Sequence, residues 1–578
     1  MSTGFGSVFA ESIFKVKKTK GYPKESGKEI QVYDNNRLYL FLFILIFGLG
    51  FLLTRLFSLS FFEGQRYRRL STENRIREAK VIAPRGIIYD RKGIPLVRNI
   101  PVFQTKSGLR YFDQKEVTES GEVTEGVARQ YIYGPLLSHV LGYTGEVNEE
   151  EIRSLTKQNN YKSGDIIGKM GIEKTYDSLL RGRNGKVLTE VDALGSTVRQ
   201  LGKVEPKSGE NLSLTLDLDL QKIGESDFKG KKGAIVITEP KTGAVLGLYS
   251  SPSYDPNNFI TGVNIDNLLN DSDHPLFNRA ISGNYPPGST FKIITSTAAL
   301  ETGAITRETK FEDTGVLQVG QFTFGNWYFN QYGRKEGILD IVGALKRSND
   351  IFFYKTGEAT GIENIALWAK KMGVENILRI DLEGEEKGVM PDPSWQKKVR
   401  GQDWYLGNTY HVAIGQGDIL TTPLQVNAWT NVIANGGKLC RPHLTKEQNE
   451  NCKDVGIKKE NLELIRQGMK EACSSGGTGW PLFKFKVQSS KFKADNLDFL
   501  QTYEATVSGK PMVEIPVACK TGTSEFGDPK NRTHAWFTVF APVYNPQISI
   551  TVLVEGGGEG SNVAAPIAKK ILEEWFGR

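Results

Sequence analysis

An α+β fold is what the sequence predicts for residues 230–578, on the strength of two strand pairs with helices between them. Ala234-Ile235-Val236-Ile237 and Ala244-Val245-Leu246-Gly247-Leu248-Tyr249 flank the turn Glu239-Pro240-Lys241-Thr242-Gly243 and read as a β-hairpin. Ala535 to Phe540 and Ile548 to Val554, joined through Pro542 and Asn545-Pro546, read as a second strand pair. Helical stretches lie between them at Ser289 to Glu301, stopped by Gly303, at Gly337 to Arg347, and at Glu363 to Met372, stopped by Gly373. A last helix runs from Ala564 to Phe576. Strands at both ends with helices between make one antiparallel sheet packed by helices.

Ahead of this domain, the chain divides by composition. Its 578 residues exceed what one hydrophobic core holds. Hydrophobic and charged shares of 39% and 24% exclude a disordered chain, a collagen-like repeat and a multi-span transporter. Leu38 to Leu53 is a run of 16 apolar or glycine residues, and Thr54 to Leu59 extends it, with Arg55 snorkelling, toward the ~20 residues that span a bilayer. The run is longer than the apolar core of a secretory signal and no A-x-A site follows, so residues 38–60 read as an uncleaved transmembrane anchor. Lys15, Lys17, Lys18, Lys20, Lys24, Lys28 and Arg37 precede it, which makes residues 1–37 a cytoplasmic tail and places the rest of the chain outside. Residues 61–229, rich in glycine and charge, form an elongated domain without a catalytic constellation, and residues 230–578 form the catalytic one.

The net charge of +7 sits partly in the tail, and no basic stripe interleaved with aromatics follows, so nucleic acid is excluded as a partner. Four cysteines are too few for a disulfide scaffold; an oxidising compartment permits one bridge, for which Cys440 and Cys452 are the nearest pair. The five histidines form neither H-E-x-x-H nor a paired Cys/His site, and Cys440-x-x-His443 is half a zinc site at most, so the reading holds no metal and no cofactor.

Chemistry concentrates in three short segments. Tyr285-Pro286-Pro287-Gly288-Ser289-Thr290-Phe291-Lys292 sets a turn before a helix, and residues three apart share a helix face, so the Lys292 amine can reach the Ser289 hydroxyl. Lysine activates such a nucleophile only when neutral part of the time, which burial or a second cation promotes. Four other S-x-x-K copies, at Ser12, Ser154, Ser226 and Ser490, lack the Pro-Pro-Gly turn. K-T-G occurs at Lys241, Lys355 and Lys520; the first lies in a hairpin turn and the second in a helix. Lys520 ends the strand-like Val513 to Cys519 and continues as Thr521-Gly522-Thr523, which suits an edge strand offering positive potential, hydroxyls for a carboxylate, and a glycine for close approach. Between them, Ser348-Asn349-Asp350 ends a helix, where a hydroxyl and a carboxylate two apart can face one cleft.

Ser-x-x-Lys, Ser-x-Asp and Lys-Thr-Gly in this order are the set of β-lactamases and penicillin-binding proteins. From about residue 55 to the C-terminus the chain resembles a class B penicillin-binding protein. Arg85-Gly86-Ile87-Ile88-Tyr89-Asp90-Arg91-Lys92-Gly93, Leu141-Gly142-Tyr143-Thr144-Gly145, and Gly171-Ile172-Glu173-Lys174 to Leu180-Arg181-Gly182 resemble pedestal motifs of that family. Ile414-Gly415-Gln416-Gly417 before Thr422-Pro423-Leu424-Gln425 is a further family mark. Pro286-Pro287 and Trp404 to Thr409 are similar to the elongation-type penicillin-binding protein 2, with the division type as the alternative.

The resemblance implies a penicillin-binding transpeptidase domain with a helical subdomain, behind a dimerisation-type pedestal and one membrane helix. It implies Ser289 as nucleophile, Lys292 as base, Ser348 as proton relay and Lys520 as polarising cation. Asp350, Thr521, Gly522 and Thr523 would hold substrate, with Ser289 and Thr523 N–H groups as the oxyanion hole. The implied ligands are D-Ala-D-Ala stem peptides and β-lactam antibiotics; the implied partners are a SEDS-family glycosyltransferase and elongation-complex proteins, at the bacterial inner membrane. Three departures stand out: Asp350 where many relatives carry asparagine, Ser524 where alanine is usual, and a Val97 to Gln130 link short for a full head subdomain, which leaves partner contacts through a head open. A β-lactamase or carboxypeptidase, or a sensor or inactive scaffold, are the competing readings.

Overall fold

The computed structural model describes residues 35–577 except 106–109, 112–122, 160, 193–195, 229, 447–450, 489–504 and 508–509. One unit comprises Met1–Val81 with Asn184–Glu205, the other Ile82–Arg183 with Pro206–Arg578. In the first, the apolar run forms the helix Asn35–Phe57, which continues through a π-helical turn to Phe62 for 28 residues in all. None of its side chains is buried, as a helix solvated by lipid requires. The helix Gly64–Arg75 follows, and the strands Ile76–Val81, Gly185–Val191 and Thr197–Val204 form an antiparallel sheet with Gly185–Val191 at its centre.

In the second unit, Pro95–Thr105 pairs antiparallel with Val123–Tyr131, and Ile88–Tyr89 with Leu212–Ser213 beyond it, and the short Arg110–Tyr111, complete the five-stranded sheet. Residues 106–109 and 112–122 of the link between Val97 and Gln130, whose length suggested a reduced head, lie outside the described residues. The motif segments converge here: Gly86 N–H donates to Leu180 C=O at 2.8 Å. Arg85 reaches Glu173 at 2.9 Å and Asp177 at 2.8 Å.

The catalytic portion is built on five antiparallel strands, β1 (Gly233–Thr238), β2 (Val245–Ser251), β3 (Ala518–Glu525), β4 (Thr533–Ala541) and β5 (Ile548–Val554), in the spatial order β2-β1-β5-β4-β3. Both expected strand pairs are present, and they join through β1 and β5. Side chains alternate between two cores: Trp536 and Phe540 face a cluster with the helices α1 (Lys292–Thr302), α3 (Asp350–Thr360), α5 (Pro423–Ala434) and α6 (Lys459–Ala472). Phe537 and Val539 face the other cluster, with the closing helix α7 (Gly560–Phe576). Fully burying each such aromatic contributes roughly 1.5–3 kcal/mol.

Three expectations need correction. Gly337–Leu339 is a strand paired with Phe311–Asp313; the helix, α2 (Ile341–Arg347), begins only after Asp340, whose carboxylate caps Gly343 N–H at 2.8 Å. Val513 to Cys519 is not one strand: Lys510–Glu514 belongs to another sheet, the chain breaks around Pro516, which has no N–H for a ladder, and β3 starts at Ala518. Lys520 therefore lies inside its strand instead of at its end. The cysteines form two bridges, Cys440–Cys452 and Cys473–Cys519, where the sequence suggested at most one. Cys440 and Cys452 face each other on adjacent strands, so the half zinc site is a cross-link. Cys473–Cys519 ties the end of α6 to β3.

Candidate active site

The nucleophile turn is fixed from several sides. Tyr285 pairs with Thr421 through N–H to C=O bonds of 2.9 and 2.8 Å in the two directions. Its hydroxyl donates to Glu555 at 2.6 Å, and Glu555 also accepts from Arg279 at 2.9 Å. Trp536 Nε1 donates to the Pro286 carbonyl at 3.0 Å. Gly288 takes φ 53°, and a Cβ there would stand 2.8 Å from the Thr523 carbonyl oxygen, so only glycine lets the turn approach β3 so closely. Gly522 meets it from the other side, where a Cβ would be 3.0 Å from Thr290 Cγ2 and 3.1 Å from the Pro287 carbonyl oxygen.

Gly288–Phe291 is a 3₁₀ turn that passes into α1 at Lys292. The expected helix therefore opens with three residues per turn, which aligns positions three apart better than an α-helix does. Ser289 is partly exposed and Lys292 fully buried. Among the described residues, the Lys292 amine hydrogen-bonds to Asp350 Oδ1 at 2.5 Å, the Ser348 carbonyl at 2.7 Å and Ser348 Oγ at 3.4 Å, and not to the Ser289 hydroxyl. That coordination suits a charged ammonium; a lysine amine can accept a hydroxyl proton only after losing one of its own.

Ser348 sits between α2 and α3 with φ 53°, a left-handed conformation that disfavours any residue with a Cβ by about 1–2 kcal/mol. Asn349 then caps α3, accepting from Phe352 N–H at 2.8 Å. The strained corner aims the Ser348 hydroxyl at Lys520, whose Nζ lies 2.7 Å away. Asp350 is held on three sides: its Oδ2 accepts from Trp327 N–H at 3.0 Å, its N–H donates to Asn326 at 3.1 Å, and its Oδ1 pairs with Lys292 at 2.5 Å. On β3, Lys520 and Gly522 share the inner face, while Thr521 and Thr523 share the other. The Thr521 hydroxyl donates to Thr478 at 2.8 Å, and Thr523 is exposed.

Two lysines thus flank one hydroxyl. Burial pushes the Lys292 pKa below lysine's ordinary 10.5, although Asp350 pulls the other way. Lys520 is pushed well below the same value by burial and then by the charge of Lys292, against the pull of Asp350. A chain of hydrogen bonds runs from the Asp350 carboxylate through Lys292 and Ser348 to Lys520, both amines donating to the Ser348 hydroxyl.

All eight residues singled out in the sequence lie on these three adjoining segments. Missed were Asn326 and Trp327, which hold Asp350, Thr478, which meets Thr521, and the Arg279–Glu555–Tyr285 cluster. None carries a local signal, since each acts through a partner far away in the chain.

A family described as the penicillin binding protein transpeptidase domain matches residues 233–573, and the penicillin-binding protein dimerisation domain matches residues 105–214. The chain is similar to the peptidoglycan D,D-transpeptidase MrdA of Salmonella typhimurium, 32% identical over 93% of this chain and 96% of that one. Among solved structures, it is similar to penicillin-binding protein PBP2 of Helicobacter pylori in complex with MreC, with a TM-score of 0.71 at 29% identity, covering 86% of this chain and 98% of that one. It is similar also to a chain in a peptidoglycan synthase complex described as coordinating polymerization and crosslinking, with a TM-score of 0.71 at 26% identity, covering 94% and 98%.

Proposed function

We propose, for a chain that belongs to the penicillin-binding proteins and is a peptidoglycan D,D-transpeptidase of the elongation type, that Ser289 is the residue acylated and that Lys292, Ser348 and Lys520 move its proton. Ser289 Oγ attacks the carbonyl carbon of the penultimate D-Ala, and Lys292, neutral at that moment, takes the hydroxyl proton. The oxyanion forms between the N–H groups of Ser289 and Thr523; losing one such donor in other enzymes costs about 3–4 kcal/mol of transition-state stabilisation. Ser348, in contact with both amines, delivers a proton to the departing D-Ala nitrogen. Asp350 orients Lys292, while Lys520 with the Thr521 and Thr523 hydroxyls binds the terminal carboxylate, Gly522 leaving room for the peptide. The acyl-enzyme is then resolved by an amine of a second stem. A strained β-lactam amide enters the same steps and stops at the ester.

The observation that carries this reading is the Ser348 hydroxyl, 2.7 Å from Lys520 Nζ and 3.4 Å from Lys292 Nζ, which links the three segments into one proton path. The test is labelling of the purified chain by fluorescent penicillin beside Ser289→Ala. Persistent label that disappears in the variant is expected. Label retained by Ser289→Ala would move the nucleophile elsewhere, and label lost within minutes would indicate a hydrolase.

We further propose residues 61–229 as the pedestal and residues 230–578 as the transpeptidase domain. The anchor spans the bacterial inner membrane once with the N-terminus in the cytoplasm, as the lysines before it favour. A SEDS-family glycosyltransferase and elongation-complex proteins are the proposed partners; the relatives solved with MreC and in a peptidoglycan synthase complex support this. Pull-downs in which anchor and pedestal variants keep full association would refute it.

A further inference from the structure

The turn Gly415-Gln416-Gly417 after the helix α4 (Leu406–Ala413) touches both halves of the reaction centre. The Gly415 carbonyl accepts from Gly288 N–H at 2.8 Å, one residue before the nucleophile. The half-buried Gln416 carboxamide donates through Nε2 to the Thr523 carbonyl at 3.3 Å and accepts at Oε1 from Glu525 N–H at 3.3 Å. β3 is the outermost strand of its sheet, paired only with β4. Thr523 and Glu525 are two residues apart, so their backbone groups face one edge. One side chain thereby supplies the donor and the acceptor that the backbone of an added strand would supply.

A peptide in the site must use the same groups. In an antiparallel pair, a residue that gives its C=O to a partner's N–H gives its own N–H to that partner's C=O. If the scissile carbonyl rests on Thr523 N–H, as the proposed oxyanion hole has it, the N–H of that same substrate residue falls on the Thr523 carbonyl, where Gln416 now donates. The two donors compete. Both Gln416 bonds are longer than the 2.9–3.0 Å typical of N–H···O contacts, as suits a group that must give way.

We infer that Gln416 is a displaceable stand-in for the acyl donor: its carboxamide closes the free edge of β3 in the empty enzyme, and the donor's own amide N–H must expel it. Ligands that acylate Ser289 without offering an N–H to the Thr523 carbonyl leave Gln416 in place. The inference rests on the Ser289 reading, and its effect is a ratio between two ligands of that same serine.

The test measures second-order acylation rate constants of the full chain in detergent with benzylpenicillin, whose acylamino group offers such an N–H, and with a carbapenem, which has none. Gln416→Ala should raise the penicillin value about fivefold, the equivalent of one ordinary hydrogen bond, and leave the carbapenem value unchanged. Gln416→Asn, one methylene too short to bridge both groups, should behave alike and serves if the alanine variant does not fold. Equal loss with both ligands would make the turn a mere support for Gly288, loss confined to penicillin would make Gln416 a substrate contact, and no change would make its bonds irrelevant; each overturns the inference. Acylation persisting in Ser289→Ala would overturn the site beneath it, whatever the ratio.

Discussion

In the pedestal, Glu173 is fully buried between two guanidinium groups, Arg85 at 2.9 Å and Arg129 at 2.6 Å, and Arg85 also holds Asp177 at 2.8 Å. In the catalytic domain, two buried lysines face one hydrogen-bonded carboxylate, Asp350, with Glu336 adding a weaker pull on Lys292. Burial alone would raise the Glu173 pKa, but the charges of Arg129 and Arg85 override it and hold the carboxyl below its ordinary 4.5. Two cations against two anions, with Tyr161 donating to Asp177 at 2.5 Å and Gly168 N–H at 2.8 Å, leave little for a proton to gain by moving. Around Ser348 burial outweighs the pull of Asp350 on both lysines and of Glu336 on Lys292, Lys292 adds its charge against Lys520, and both lysine pKa values fall. Similar residue types thus give a joint in which paired charges hold a carboxyl down, and a cluster in which burial lowers two lysines, the condition that the proposed proton relay needs.

The largest effect should come from depriving the Ser348 cluster of its proposed base. Lys292→Met is expected to slow acylation by penicillin about 10²–10⁴-fold, the usual range for a general base, with an unchanged far-ultraviolet circular dichroism spectrum. A rate within tenfold of the parent would remove Lys292 from the relay. Next, Glu173→Ala leaves the buried Arg129 without a carboxylate and Arg85 with Asp177 alone, and should lower stability by about 3–5 kcal/mol in denaturant unfolding. The folded fraction should acylate at the parent rate; a proportional loss of rate would mean that the joint is part of the chemistry. Because the Glu173 pKa is depressed, its contribution is complete above the ordinary value of 4.5 and lost as pH falls through the native one. Glu173→Gln should flatten that acid limb of the stability profile.

The smallest effect bears most directly on the charge of Lys292. Asp350 raises the Lys292 pKa, so Asp350→Asn removes that pull and should move the rising limb of the acylation–pH profile to lower pH, with less than about a tenfold change in its plateau. A shift to higher pH, or none, would show that Asp350 does not set the charge of Lys292.

Much of this was legible because it is local. Pro286-Pro287-Gly288 before Ser289 announces the turn and helix, and short apolar runs flanking Glu239 to Gly243 and flanking Pro542 to Pro546 announce the sheet. The order of three weak motifs located the site that none of them fixes alone. What escaped depends on neighbours brought by the fold. Nothing around Gly337 reveals that Phe311–Asp313 will pair with it, and no spacing rule joins Cys473 to Cys519 across 46 positions. The positive φ of Ser348 is likewise imposed by where α2 and α3 must lie, since serine has no preference for it.

The Cys473–Cys519 cross-link bears on how this part of the chain can vary. It joins the two ends of an excursion of 46 positions one residue before Lys520, so the ends stay together whatever length lies between them. Without such a tie, each doubling of a loop adds roughly 0.6 kcal/mol of closure entropy that the strand's own pairing has to offset. With it, that term no longer draws on the contacts of β3. Insertions and deletions between the two cysteines, away from Thr478 and the buried Leu482, Phe485 and Val487, are thereby insulated from the register of Lys520.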